Sequence, residues 1–185
     1  MDVQRFDIEG LLLIKPRVFR DSRGYFFESF NKKKFEQELG YEVNFIQDNE
    51  SKSSAGVLRG LHFQRPPFAQ AKLVRVIQGK VLDVAVDLRI KSRTFGQSQT
   101  VLLSGDNKHQ FFIPRGFAHG FVVLNESTIF SYKVDNEYAP SYEDGIIYND
   151  YQLDIDWELE LDSVILSKKD KQLQSFEKYK RQPLF

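Results

Sequence analysis

The stretch Leu82-Asp83-Val84-Ala85-Val86-Asp87-Leu88 alternates with a period of two, with Leu82, Val84, Val86 and Leu88 on one face and Asp83, Ala85 and Asp87 on the other. Only an extended strand sorts residues this way, because successive side chains of a strand leave on opposite sides. The pattern predicts a strand with one apolar and one mixed face. Lys72 to Ile77 reads as the strand before it, with Gln78-Gly79 as the turn. Further strands are predicted over Thr100 to Leu103, Gln110 to Ile113, Gly120 to Leu124 and Ile129 to Val134, separated by short turn segments such as Ser104-Gly105-Asp106-Asn107 and Pro114-Arg115-Gly116. Many short strands at close spacing point to an antiparallel sandwich or barrel, not to alternating βαβ units.

Helices are few. Asn31 can cap a helix running to Leu39, which Gly40 would end, with Phe35 and Leu39 as its apolar side. Near the end of the chain, Ser167-Lys168-Lys169-Asp170 has the spacing of a capping box with Asp in place of Glu or Gln, and Leu173 and Phe176 would be the buried side of that helix.

With 185 residues the chain is sized for one domain over 1–185, and the spread of its 17 Phe along the whole length favours one shared core. Lys+Arg and Asp+Glu both number 26, so the basic footprint of a nucleic-acid binder is missing. The chain contains no Cys, which excludes disulfides, thiolate zinc sites and Cys nucleophiles. It carries neither a Gly-rich dinucleotide fingerprint nor a phosphate loop. The early apolar run Leu11 to Ile14 is too short for a signal-peptide core or a membrane span, so a cytoplasmic location without membrane contact is expected.

The chain has three histidines. His109 sits beside Lys108 near a turn and reads as a surface residue. His62 lies in Gly56-Val57-Leu58-Arg59-Gly60-Leu61-His62-Phe63-Gln64, and His119 in Pro114-Arg115-Gly116-Phe117-Ala118-His119-Gly120. These two segments resemble the two boxes of the cupin jelly roll. Metal-binding cupins carry His-x-His and a Glu in the first box. Here that box reads His62-Phe63-Gln64, and no carboxylate occurs from Gly60 to Leu82. Two imidazoles without a carboxylate under-ligate a transition metal, so the residues argue for the scaffold without the metal. An imidazole in such a cavity can still act as a general base, although passive ligand binding is the bland alternative.

A longer ordered set of motifs is more specific. Asp21-Ser22-Arg23-Gly24-Tyr25-Phe26, Gly56 to Gln64, Gln70-Ala71-Lys72-Leu73-Val74, Asp83 to Arg89 with Thr94-Phe95-Gly96, Ile113 to Gly120, Tyr132-Lys133 with Tyr138 and Glu143, and Leu166 to Asp170 follow one another in the order seen in the dTDP-4-dehydrorhamnose 3,5-epimerase family. The chain resembles that family over roughly residues 5 to 172. The resemblance implies an all-β cupin jelly roll with a few short helices that needs neither metal nor coenzyme. It implies inversion of C3 and C5 of dTDP-4-dehydro-6-deoxy-D-glucose through an enolate. His62 would be the base, Asp170 its orienting carboxylate, Tyr132 the acid on the far side, and Lys72 the charge near the C4 oxygen. Arg23, Arg59 and Lys168 would lie near the diphosphate and Tyr138 against thymine. Glu28, Gln47, Asp48, Asn49, His119 and Glu143 map to further ligand contacts. A homodimer with exchanged N-terminal strands is implied too, and Phe6 to Ile14 is apolar enough for one.

Three rival roles and one tension belong with this reading. Asp170 could be a helix cap only, Tyr132, alternating with Phe130 and Val134, an ordinary inward-facing core aromatic, and Lys72 a solvated edge lysine. Arg59 and His62 lie three positions apart, which puts them on opposite faces of a regular strand; either a bulge near Gly60 resets the parity, or Arg59 reaches a different part of the ligand, from a neighbouring chain for instance. Other chemistries on the same scaffold are a single-position epimerase, a 3,4-ketoisomerase, a metal-dependent cupin and a non-catalytic carbohydrate-binding jelly roll.

Overall fold

The computed structural model describes residues 1–160 and 163–185. Thirteen strands and two helices occur in chain order: β1 (Asp2–Arg5), β2 (Leu12–Lys15), β3 (Phe19–Asp21), β4 (Gly24–Phe26), α1 (Lys32–Leu39), β5 (Gln47–Ser53), β6 (Leu58–Gln64), β7 (Lys72–Gln78), β8 (Lys80–Asp87), β9 (Ser98–Ser104), β10 (Gln110–Ile113), β11 (Phe117–Val123), β12 (Thr128–Val134), β13 (Glu143–Gly145) and α2 (Phe176–Arg181). One sheet has the order β1-β2-β10-β7-β12-β5, the other β13-β6-β11-β8-β9, and β3 with β4 forms a separate hairpin. Pairing within both sheets is antiparallel. This is the antiparallel sandwich expected from the spacing of turns, arranged as the jelly roll that the resemblance implies. Among the described residues no helix is long and apolar enough to cross a membrane.

Three layers of apolar packing hold it together. Between the sheets lie Val74, Val76 and Phe130 from one side, with Ala85, Leu103, Phe117 and Phe121 from the other. Outside the five-stranded sheet, Leu82, Val84, Val86 and Leu88 pack against Trp157, Phe176 and Tyr179 of the C-terminal segment. The polar ends of that clamp are satisfied: Trp157 Nε1 donates to Tyr148 O at 2.9 Å and Tyr179 OH to Leu88 O at 3.0 Å. Large aromatics of this kind cost about 3–5 kcal/mol when cut back to Ala. Outside the six-stranded sheet, Phe35 of α1 and Val43 cover Leu12, Leu73 and Phe112.

The strand at β8 behaves as its period demands, but its mixed face is not solvated. Asp83, Ala85 and Asp87 are fully buried. Each charge there has a partner: Asp87 binds the Arg89 guanidinium with Ser92 and Thr94, and Asp83 binds His119. That face is the interior of the sandwich. The predicted β11 starts at Phe117 rather than Gly120. Helix α1 forms as expected, with Asn31 Oδ1 accepting from Lys34 N at 3.2 Å and Gly40 in the left-handed region at φ +82°. The C-terminal helix does not start at Ser167. Asp170–Gln172 make a single 3-10 turn, and α2 begins at Phe176 behind its own cap, Ser175. The side chain of Asp170 is turned inward to His62, so it is not free to reach back as a capping box requires. His109 is half-buried rather than fully solvated.

Candidate active site

Between the two sheets a cavity of about 250 Å³ is lined by Glu50, Ser51, Arg59, His62, Lys72, His119, Gly120, Phe121, Phe130, Tyr132, Ser167, Lys169 and Asp170. Six of the residues singled out from the sequence meet there: Arg59, His62, Lys72, His119, Tyr132 and Asp170.

The parity tension between Arg59 and His62 resolves as a bulge. On β11 the partners of His62 and Arg59 are His119 and Phe121, two residues apart, so β6 uses three residues where β11 uses two. Gly60 sits in the extra step at φ +126°, and a Cβ there would lie 2.6 Å from Gly120 Cα and 2.9 Å from His119 O. Only glycine fits a left-handed position against a backbone that close. The bulge turns Arg59 and His62 toward one cavity. Arg59 is held by Ser53, whose Oγ accepts from Nε at 3.3 Å and from Nη2 at 3.1 Å.

His62 is held from behind. Asp170 Oδ1 lies 2.5 Å from His62 Nε2. Ser167 Oγ donates to Asp170 Oδ2 at 2.8 Å and accepts from Asp170 N at 3.0 Å. Asp170 is only 3% exposed. Burial pushes its carboxyl up, but the bonds from His62 and Ser167 outweigh that and hold it below the usual carboxylate range. Asp170 therefore orients the imidazole, and it is the Ser167 hydroxyl that accepts from the Asp170 N–H at the start of the turn. A carboxylate on Nε2 leaves Nδ1 as the nitrogen able to take a proton.

Facing His62 from the other sheet are Lys72 at the head of β7 and Tyr132 on β12. Lys72 is not an edge lysine: β7 lies between β10 and β12. Burial pulls its ammonium down to about 8, with the charges of Asp83 and Glu143 resisting. Burial raises the Tyr132 phenol, as does Glu143, while Arg59 opposes, so Tyr132 stays a neutral O–H donor. An imidazole on one sheet and a phenol on the other can reach opposite faces of a ligand held between them.

His119 is the register partner of His62. Its Nε2 lies 3.0 Å from both oxygens of Asp83. Each histidine thus has Nε2 taken by a carboxylate, an arrangement that does not converge on a shared ion. Among the described residues no group of three or more His, Cys, Asp or Glu is placed to hold a metal.

Other predicted contacts lie elsewhere in this chain. Lys168 is exposed and does not line the cavity; its neighbour Lys169 does, paired with Glu143. The resemblance points to Lys168, but the turn before Asp170 brings Lys169 to the cavity instead. Glu143 stands at the rim, where it accepts from Tyr138 OH at 2.6 Å. Burial raises its carboxyl, yet Lys169 and Tyr138 together bring it below its ordinary value. Tyr138 is exposed beside it. Gln47 donates to Asn49 at 2.8 Å, and Asp48 pairs with Lys133 at 2.8 Å; none of the three lines the cavity, although Glu50 and Ser51 of the same strand do. Arg23 is on the exposed hairpin, bonded to Asp21, and Glu28 pairs with Lys34 at 2.9 Å. Glu50, Ser51, Ser167, Lys169 and Asp83 were not singled out as site residues from the sequence. Asp83 carried a signal, since a charge inside a buried strand needs a partner.

The fold and its cavity define a cupin-like jelly-roll protein equipped for acid–base work on a ligand held between two sheets. Comparison with known proteins places it more finely. The family described as dTDP-4-dehydrorhamnose 3,5-epimerase matches residues 5–178. The curated dTDP-4-dehydrorhamnose 3,5-epimerase of Escherichia coli is 54% identical over 173 residues, covering 94% of this chain and 93% of the relative. The one from Pseudomonas aeruginosa is 52% identical over 176 residues, covering 95% and 96%. Among solved structures, the dTDP-6-deoxy-D-glucose-3,5-epimerase of Legionella pneumophila, in complex with dTDP-4-keto-L-rhamnose, superposes with a TM-score of 0.91 at 48% identity, over 95% of this chain and 93% of that one. The chain belongs to the dTDP-4-dehydrorhamnose 3,5-epimerase family, a family of isomerases.

Proposed function

We propose that the protein inverts C3 and C5 of dTDP-4-dehydro-6-deoxy-D-glucose to give dTDP-4-dehydro-L-rhamnose. The observation that carries this reading is the placement of His62 and Tyr132 on opposite sheets of one cavity, with Lys72 beside them. The 4-ketone acidifies the hydrogens on both neighbouring carbons. His62 Nδ1 takes a C–H proton, and the electron pair moves onto the C4 oxygen, whose charge the Lys72 ammonium meets. Tyr132 then gives its O–H proton to the opposite face of the carbon and recovers one from solvent, while His62 releases to solvent the proton it took and is ready for the second carbon. Asp170 stabilises the imidazolium in between. A positioned acid–base pair contributes about 10²–10⁴-fold, and stabilising the enolate adds to it.

Incubation with the dTDP-4-keto sugar in D₂O tests this. Deuterium at both C3 and C5 of the product is expected. Incorporation at neither carbon would remove the reading. Incorporation at C3 alone would favour the single-position alternative; a 3'-monoepimerase, ChmJ from Streptomyces bikiniensis, shares the fold with a TM-score of 0.88 but is only 30% identical. The relatives named as 3,5-epimerases are much nearer, which supports the double inversion.

Lys72 must be charged to meet the enolate. Its pKa of about 8 means that the competent form is complete well below pH 8 and is lost as pH rises through that value. kcat/KM is therefore expected to fall on an alkaline limb centred near 8. In Lys72→Arg the guanidinium keeps its charge, so this limb should vanish even though the overall rate is lower.

The diphosphate would meet Arg59 together with Lys169, which takes the place expected for Lys168. Arg23 and Glu28 then reach a ligand from a second copy of the chain. The hairpin that carries Arg23 exposes Phe19, Tyr25 and Phe26, the last at 70%, a surface suited to another subunit. In this chain β2 pairs with β10 of its own sheet, so exchange would involve strand edges or the hairpin rather than the whole of Phe6 to Ile14. Sedimentation is expected to show twice the 21.6 kDa chain mass. Arg23→Ala should raise KM about tenfold with kcat little changed, as loss of a remote phosphate contact does.

A further inference from the structure

One buried carboxylate has no part in the reaction above. Asp83 lies on the inner face of β8 with none of its surface exposed, and its partner among the described residues is His119, met by both oxygens at 3.0 Å. An ionised carboxylate only accepts hydrogen bonds, so the imidazole proton must sit on Nε2. The lone pair of the neutral ring is then on Nδ1, which bonds to no protein group among the described residues. Burial pushes the His119 pKa down, Lys72 and His62 push the same way, and Asp83 alone resists. Phe130 is stacked 6.2 Å from the ring and in turn lies 4.1 Å from Phe121.

We propose that Asp83 is a positioning residue that fixes His119 as a hydrogen-bond acceptor in the cavity, so that His119 Nδ1 selects a hexose hydroxyl at C2 or C3. This rests on the proposed dTDP-sugar substrate and deepens it. A 4-keto-6-deoxyhexose linked through C1 offers a hydrogen to an acceptor only from its C2 and C3 hydroxyls. Its ketone oxygen is itself an acceptor and must go to a donor, and Lys72 is one. The two sides of the cavity therefore divide the sugar: donors for the oxygen that gains charge, an acceptor for the neighbouring hydroxyl. A site built to accept from a hydroxyl discriminates against a ligand lacking it, because the buried acceptor is left unpaired.

Two measurements test this. Long-range ¹H–¹⁵N NMR on histidine-labelled native protein, assigned with His119→Gln, should show the His119 ring protonated at Nε2 and bare at Nδ1 at neutral pH. A proton on Nδ1, or on both nitrogens, overturns the proposal. The second is calorimetric binding of dTDP-6-deoxyglucose and its 2-deoxy and 3-deoxy forms. One of the two deletions should weaken binding to the native protein about fivefold or more. In Asp83→Asn, whose amide can donate to Nε2 and move the proton to Nδ1, the same deletion should cost less than about twofold. Equal penalties in both proteins overturn the proposal while leaving the epimerase reading standing. Failure of the native protein to bind any of the three dTDP-sugars instead removes the substrate on which both rest.

Discussion

Replacing His62 with Asn is expected to abolish deuterium exchange at C3 and C5 and to lower kcat by about 10³-fold or more, with the fold intact. The fold should survive because His62 is a cavity residue whose side chain remains 27% exposed. Asp170→Asn is the more informative partner. An Asn side chain can turn its amide toward Nε2, which favours the tautomer with a proton on Nδ1, the nitrogen that must receive one from the sugar. A drop of about 10²–10⁴-fold in kcat at little changed KM is expected, and the double variant should be no worse than His62→Asn alone, because both changes disable one unit. Exchange in His62→Asn at the native rate would show that the base lies elsewhere.

The second large effect falls on stability. Gly60→Ala places a Cβ 2.6 Å from the Gly120 backbone at a φ of +126° that side chains rarely adopt. The strand must move away or lose the bulge, at a cost of about 3 kcal/mol or more. For a chain of this size that corresponds to a fall in Tm of roughly 6–12 °C. Activity should fall further than unfolding explains, since a shift of one register step separates Arg59 from His62. A melting curve within about 2 °C of native would mean that the bulge does not depend on glycine. Circular dichroism melts and residual activity well below Tm check both parts.

Much of this was written in local pattern. The alternation at 82–88, the turn at Gly79 and the Asn31 cap each depend on neighbours in sequence, and each forms where the residues place it. What sequence could not supply depends on distant chain. That the mixed face of β8 is buried could not be read from the strand, because its partners all lie beyond it: His119 for Asp83, and Arg89, Ser92 and Thr94 for Asp87. The tension between Arg59 and His62 was legible as parity, and Gly60 was named as its cure, yet only the β11 register shows the count. Ser167 to Asp170 has helix-cap spacing but forms a single turn, with one Asp170 oxygen on the Ser167 hydroxyl and the other on His62, a partner 108 positions away that no local pattern could show. The roles proposed for Arg23 and Glu28 rest on resemblance alone, and neither residue lines the cavity of this chain.

The contact between Asp170 and His62 spans 108 positions of the chain. The segment that supplies the carboxylate docks on the five-stranded sheet through Ile165 opposite Val57 and Gln174 opposite Ile146. The carboxylate that orients His62 is therefore present only when the segment from Ile165 to Gln174 is docked on the sheet, so local detachment of that segment would leave the imidazole without its partner while both sheets stay paired.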